Sequence, residues 1–330
     1  MMKAGRKKMK KIVNLLAVIM LLSGFLILAK PYLREWYLKR ENDRIIKEFA
    51  KKAENNSDAG NALRERSDDN RNTTNESKNT SMSDKLYENM QEYNIKIFQE
   101  NQSGLCDAFS YTTSSFEFSE YGITDDVAGY ITIDKIGVTM ALYIGSNKAN
   151  MSKGATIMNQ TSMPIGGENT NCVIAAHRSR GYLAEIEQLE PGDEIKITNL
   201  WQTLSYKVVK IIVIEPYDTD KIKIIPGQDI VTLLTCHPYG KNTNRYVVYC
   251  ARNKAGESGN TKDGSADKQI YNITADELPN GMEYESSEKS IKNEDIIRIC
   301  GMILTGIFLI IYLLMFVAGR NLKEQPDIQK

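Results

Sequence analysis

Apolar residues are distributed along this chain in three patterns. At the two ends they run on without interruption: residues 12–29 hold 18 uncharged, mostly apolar positions and residues 299–319 hold 21. A helix needs about 20 such residues to cross a bilayer, so both runs are expected to be membrane spans. In residues 84–97, Leu86, Met90, Tyr93 and Ile97 recur at three and four, the spacing of one helix face, with Ser81 or Ser83 as its cap. From residue 127 onward the period shortens. Residues 129–134 alternate apolar and polar, and 138–144, 171–176, 194–198, 203–214, 230–235 and 246–249 are rich in β-branched and aromatic residues. Residues 153–163 have no clear period, and 182–189, with Leu183, Ile186 and Leu189 in phase, predict a short helix ended by a Pro191-Gly192-Asp193 turn. Short strands at close spacing with little helix predict a mainly β domain, a closed or nearly closed barrel.

Polar stretches set the boundaries. Residues 54–82 are almost entirely Asn, Ser, Asp, Thr and charged side chains, and 253–295 turn polar again; neither can bury a core. The expected organisation is a basic cytoplasmic stub (1–11), a signal anchor (12–29) and a juxtamembrane segment with flexible spacer (30–82). A helix and loop segment (83–126), the β domain (127–252), a polar tether (253–298), a second span (299–319) and a cytoplasmic tail (320–330) follow. Lys3, Arg6, Lys7, Lys8, Lys10 and Lys11 precede the first span and put the amino terminus in the cytoplasm. Two spans return Arg320 and Lys323 to that side and leave the middle of the chain outside. A cleaved signal peptide is the other reading of the first run, but Ala29 has Ile27 two residues before it instead of a small residue.

Charge and composition narrow the chemistry. Lys plus Arg and Asp plus Glu both number 42, which gives no basic footprint for a nucleic acid. With two histidines in the whole chain and no ligand spacing around them, there is no zinc signature and no cofactor is expected, although loop carboxylates leave a calcium site open. Of five cysteines, Cys300 falls in a span, Cys172 and Cys250 fall in apolar strands as small buried residues, and Cys106 has no obvious place. Cys236 is different. Strand 230–235 delivers it to a loop broken by Pro238, Gly240, Asn242 and Asn244, after which the β pattern resumes. An antiparallel hairpin with an eight-residue loop brings Cys236 and Arg245 within reach of each other. A guanidinium favours thiolate over thiol and can donate to a developing oxyanion. The acid/base partner is expected to be His177, at the end of its own apolar strand, because His237 is next to Cys236 and points to the opposite face. Arg178 and Arg180, near His177, are weaker alternatives to Arg245.

At these residues the chain resembles the sortases, the cysteine transpeptidases of Gram-positive cell surfaces. The marks are TLLTC ending at Cys236, Arg245 nine residues later and His177 upstream. Phrases of class C, the pilin-polymerising branch, stand as MPIGGEN at 163–169, AAHR at 175–178, EPYDT at 215–219 and CHPYGKNTNR at 236–245. The resemblance covers residues 93–252. It implies an eight-stranded barrel of the sortase type and a catalytic set of Cys236, His177 and Arg245. It also implies a lid within 101–121 in which Asp107 pairs with Arg245 and Phe109 lies over Cys236. Ala108 stands where the lid tip usually has proline, which leaves the tip looser. Thr235 either orients substrate or is a core threonine. The implied reaction cleaves a Leu-Pro-x-Thr-Gly-like sorting signal through a thioester and passes the acyl group to an amine. Its partners would be pilin subunits or other signal-bearing surface proteins at the cell membrane, with the catalytic domain extracellular. Other readings are a housekeeping sortase acting on peptidoglycan and a non-catalytic surface binding module. A papain-type peptidase places cysteine before histidine. An L,D-transpeptidase has arginine two residues after cysteine, where this chain has Pro238.

Overall fold

The alternation that begins at Val127 closes on itself. The computed structural model describes residues 2–68, 82–114, 116, 118–121, 125–253 and 273–321. Its strands are β1 (Val127–Ile133), β2 (Val138–Ile144), β3 (Ala155–Ile157), β4 (Thr170–Ala175), β5 (Glu194–Thr198), β6 (Thr203–Ile214), β7 (Asp229–His237) and β8 (Asn244–Arg252). They form a closed barrel in the order β1-β2-β3-β4-β7-β8-β6-β5. Closure removes every sheet edge. The pairs β2/β3 and β4/β7 are parallel and the rest antiparallel.

Strand parity sorts the apolar residues into two cores. Ile131, Leu142, Ile157, Ile174, Ile197, Val208, Leu233 and Val248 supply one from all eight strands, and this is the barrel interior. The other draws on only four strands, with Val173 and Ala175 from β4, Ile212 from β6, Leu234 from β7 and Val247 and Tyr249 from β8. That second core is the outer face of the β4-β7-β8-β6 wall, covered by Leu105, Ala108, Phe109, Met151, Ile222 and Leu278. A wall buried on both sides has no alternation to read.

Two elements differ from expectation. The stretch without a period contains β3, three residues all buried between β2 and β4. Residues 182–189 form turns and a single 3₁₀ turn, Ile186–Gln188, instead of an α-helix; Leu183, Ile186 and Leu189 are buried as expected.

Among the described residues there are four α-helices: α1 (Met2–Asp68), α2 (Met82–Gln99), the single turn α3 (Lys148–Met151) and α4 (Glu288–Asn321). Helix α2 buries Leu86, Met90 and Ile97, with Asn94 as the fourth in the row and Tyr93 only half-buried. Asn94 accepts from the Met163 amide at 2.7 Å and so ties the helix to the loop before β4.

Residues Tyr37–Ser287 make one compact unit, and the apolar helical ends belong to another. Within the first, α1 is docked on the barrel: Asn42 accepts from the Ala141 amide at 2.7 Å and donates to the Lys153 carbonyl at 3.1 Å. The expected spacer is therefore helical up to Asp68, and residues 69–81 lie outside those described. The expected tether is also different in part. Residues 273–287 are a strap on the barrel wall, with Ile273 and Leu278 buried, Met282 bridged to Val213, and Lys210 Nζ donating to the carbonyls of Ala275 and Leu278 at 2.8 and 2.9 Å. Residues 254–272 lie outside those described. Both α1 and α4 carry a stretch long and apolar enough to cross a membrane, with Leu16, Leu26, Ile303 and Leu314 exposed.

Candidate active site

Register brings three strand ends together. Strands β4 and β7 pair from Thr170↔Asp229 to Ala175↔Leu234, and two further hydrogen bonds extend the pairing: Ala176 N to Leu234 O at 3.2 Å and Thr235 Oγ1 to Ala176 O at 2.7 Å. The same offset carried one residue on sets His177 beside Cys236. On the other flank Cys236 is directly opposite Arg245, which is in turn opposite Ile214 of β6. Parity completes the argument. His177 continues the row of Val173 and Ala175, Cys236 that of Ile230 and Leu234, and Arg245 that of Tyr249 and Val247, all on the outer face. The loop between β7 and β8 has six residues, two fewer than expected, because His237 and Asn244 still pair.

The 101–121 segment covers this rim. Asp107 is buried, caps the 3₁₀ turn Ala108–Ser110 through the Phe109 amide, and takes both arms of Arg245: Nε to Oδ1 at 2.6 Å and Nη2 to Oδ2 at 2.7 Å. A two-pronged pair of this kind fixes orientation as well as charge. The Phe109 ring lies 4.8 Å from the guanidinium carbon of Arg245 and 5.9 Å, centroid to centroid, from the His177 ring. The ring thus packs on the arginine and the histidine that flank Cys236. Ala108, in the usual proline position, is buried in the outer core.

The electrostatics describe a thiol at rest. Burial pushes the Cys236 thiol up to about 11 and Asp107 adds to the rise, while Arg245 and Arg178 oppose it. Burial pulls the Arg245 guanidinium down, but the hydrogen bond to Asp107 and the nearby charges of Asp107, Cys236 and Tyr217 together outweigh it and the net direction is up. At neutral pH the resting thiol therefore stays protonated.

The remaining sequence candidates fall elsewhere. Thr235 faces the interior, fully buried, its hydroxyl spent on the Ala176 carbonyl, so it is a core threonine and does not reach the rim. His237 also faces inward, 5.7 Å from Tyr246 and 5.3 Å from Tyr284 by ring centroids. Arg178 is buried with it: Nη1 lies 2.9 Å from His237 Nδ1 and Nη2 bonds to Glu187. Arg180 is half-buried in the turn after β4. Burial and the nearby Arg178 charge lower the His237 pKa, so the ring is neutral and Nδ1 accepts. No pattern in the sequence marks Glu187, a single acid in an irregular turn.

The MPIGGEN phrase lies at the opposite end of β7. There Asp229 accepts from Gly167 N at 2.9 Å, Tyr206 Oη at 3.0 Å and Arg252 Nη1 at 3.1 Å. Gly166 has φ +70°, and a Cβ on it would meet Arg252 Nη1 at 2.3 Å. The phrase therefore builds the fold and does not line the rim. Among the described residues no three His, Cys, Asp or Glu side chains gather as a metal site.

A sortase domain model matches residues 131–253, which takes in β4, β7, β8 and the three converging side chains. The chain belongs to the sortase family of cysteine transpeptidases. Sortase D of Bacillus subtilis (strain 168) is 25% identical over 132 residues, 39% of this chain and 65% of that relative, so the match spans just under two thirds of its length. Sortase C from Clostridium perfringens SM101 is 34% identical with a TM-score of 0.45, covering 52% of this chain and 89% of that one. Sortase C1 of GBS Pilus Island 1 is 27% identical with a TM-score of 0.48, covering 57% and 88%.

Proposed function

We propose that this sortase is a membrane-anchored cysteine transpeptidase of the class C type, which cleaves a Leu-Pro-x-Thr-Gly-like sorting signal and transfers it to an amine, a pilin lysine. The observation that carries the reading is the meeting of His177, Cys236 and Arg245 on one face at adjacent strand ends, beneath Asp107 and Phe109.

In the first half-reaction the Cys236 thiol passes its proton to His177, Sγ bonds to the carbonyl carbon of the signal and the peptide C–N bond breaks. The His177 imidazolium so formed gives that proton to the departing amine. Arg245 donates to the oxygen that becomes negative in the tetrahedral intermediate. In the second half an incoming amine attacks the thioester, His177 takes its proton, and Cys236 leaves as thiolate. Arg245 can do this only after Asp107 lets go, because in the closed form Asp107 takes its Nε and Nη2 while the Asn242 and Asn244 carbonyls take its Nη1. The segment holding Asp107 therefore acts as a lid that substrate displaces. A class C lid with a lysine acceptor fits a site that is shut until a pilin opens it, and the apolar stretches of α1 and α4 would hold the domain on the outer face of the membrane beside membrane-held substrates.

The test is to incubate the full chain with a sorting-signal peptide and to look for the acyl-enzyme by mass spectrometry. A thioester on Cys236 that is resolved by a pilin lysine peptide, and absent from Cys236→Ala, is expected. An adduct that survives Cys236→Ala would reject the assignment; resolution only by a peptidoglycan-type amine would move the protein to the housekeeping branch.

A further inference from the structure

Behind the rim, on the inner side of the same wall, Arg178 joins the two strand ends. Its side chain has no exposed surface. The guanidinium bonds to Glu187, lies 2.9 Å from His237 Nδ1, and has Nη1 3.5 Å from the Cys236 carbonyl oxygen. Arg178 follows His177 in sequence and His237 follows Cys236. One cation thus grips the backbone just past both reacting side chains.

Glu187 is what holds that cation, and its oxygens are divided. Oε1 takes Arg178 and lies 3.3 Å from His237 Nδ1. Oε2 accepts from the Ser286 hydroxyl and the Ser287 amide, both at 2.7 Å. Ser287 Oγ accepts in turn from the amide of Tyr239, in the loop that follows Cys236, at 3.0 Å. Tyr284 packs against both His237 and Tyr246. The last four residues before α4 therefore close a ring that starts at His177 and returns to the loop after Cys236. A carboxylate this deeply buried needs its acceptor sites filled. If the Ser286 hydroxyl is lost, Oε2 keeps only the Ser287 amide and must take water in its place, and the carboxylate is drawn off the guanidinium that spans the strand ends; loss of the Ser287 hydroxyl frees the Tyr239 amide from the same ring.

We propose that Glu187 is a positioning residue for the Cys236–His177 pair and that Ser286 and Ser287 hold it in place, so that the strap leading into α4 is part of the catalytic framework. The rate readout rests on the transpeptidase reading; the geometry does not. A displacement of about 1 Å at reacting atoms is enough to cost orders of magnitude in turnover.

The experiment uses the full chain in detergent, with Ser286→Ala/Ser287→Ala against Ser286→Thr/Ser287→Thr. The alanine pair is expected to lower kcat for thioester formation about tenfold with KM within about twofold, and the threonine pair, which keeps both hydroxyls, to restore it. Hydrogen exchange at the Tyr239 amide should quicken in the alanine pair alone. Unchanged kcat, a loss confined to KM, or a loss that threonine does not restore would overturn the proposal. Should the alanine pair fail to fold, Ser286→Ala alone decides by the same criteria at about threefold. If wild-type protein forms no thioester at all, the transpeptidase reading fails. Iodoacetamide alkylation of Cys236 then decides the inference: a rate altered about threefold or more in the alanine pair upholds it, and an unaltered rate ends it.

Discussion

At the scale of single residues the site is governed by who holds Arg245. In the closed form Asp107 pairs with the guanidinium and also raises the thiol, so the cation that should favour thiolate is partly offset. Asp107→Asn keeps the shape and removes the charge. The alkylation profile of Cys236 against pH should move down from its midpoint near 11, and the rate at pH 7.5 should rise about tenfold for every pH unit by which that midpoint falls. An unmoved profile would take the lid carboxylate out of the argument. Ala108 offers the opposite test. Asp107 sits at ψ 137°, the extended conformation required before proline, and residue 108 opens a 3₁₀ turn, where proline's fixed φ fits. Ala108→Pro should therefore stiffen the closed lid by about 0.4–1 kcal/mol and slow alkylation roughly two- to fivefold. Faster alkylation would mean that the tip is strained by the ring. Cys236, His177 and Arg245 were legible as a trio because each ends an apolar run, and runs of β-branched residues mark strands strongly. Glu187 was not, because an acid in an irregular turn becomes informative only when its partners, Ser286 and Ser287, are known to lie beside it about 100 residues later in the chain.

At the scale of elements, the difference between seen and unseen parts follows burial. Strands β1, β2 and β4 to β8 could be placed from sequence because alternation or a dense β-branched run gave them length. Strand β3 could not: all three of its residues are buried, one wall on each side, and no period can show in three positions. The strap was missed for a different reason. It docks mainly through backbone carbonyls taken by Lys210 and through two apolar anchors, so its composition still looks like linker. The far end of β7 gives the prediction at this scale. Gly166→Ala would force a side chain into left-handed backbone, costing about 1–2 kcal/mol, and would also push on the Arg252–Asp229 pair. The melting temperature should fall by roughly 2–8 °C, while the alkylation profile of Cys236, at the opposite end of the same strand, stays put. A changed profile with an unchanged melting temperature would show that the glycine-rich phrase serves the rim after all.

At the scale of the whole molecule, the proposed membrane placement makes a kinetic claim. A thiol kept near pKa 11 under a closed lid is a slow nucleophile toward anything that meets it by chance, which fits the proposal of an enzyme whose substrates share its membrane. Confinement to one surface converts a bimolecular search into a local one, and effective concentrations reach the millimolar range. With the full chain and a lipid-anchored sorting-signal peptide reconstituted into the same vesicles, acyl-enzyme should form about a hundredfold faster than with the two in separate vesicles at equal total concentration. Replacing residues 12–29 and 299–319 is unnecessary for this comparison, so folding of the barrel is not put at risk. Equal rates in the two arrangements would mean that the apolar stretches of α1 and α4 do not bring enzyme and substrate together. The lid would then be left as the sole control on the thiol, and Asp107→Asn should raise the rate equally in both vesicle arrangements.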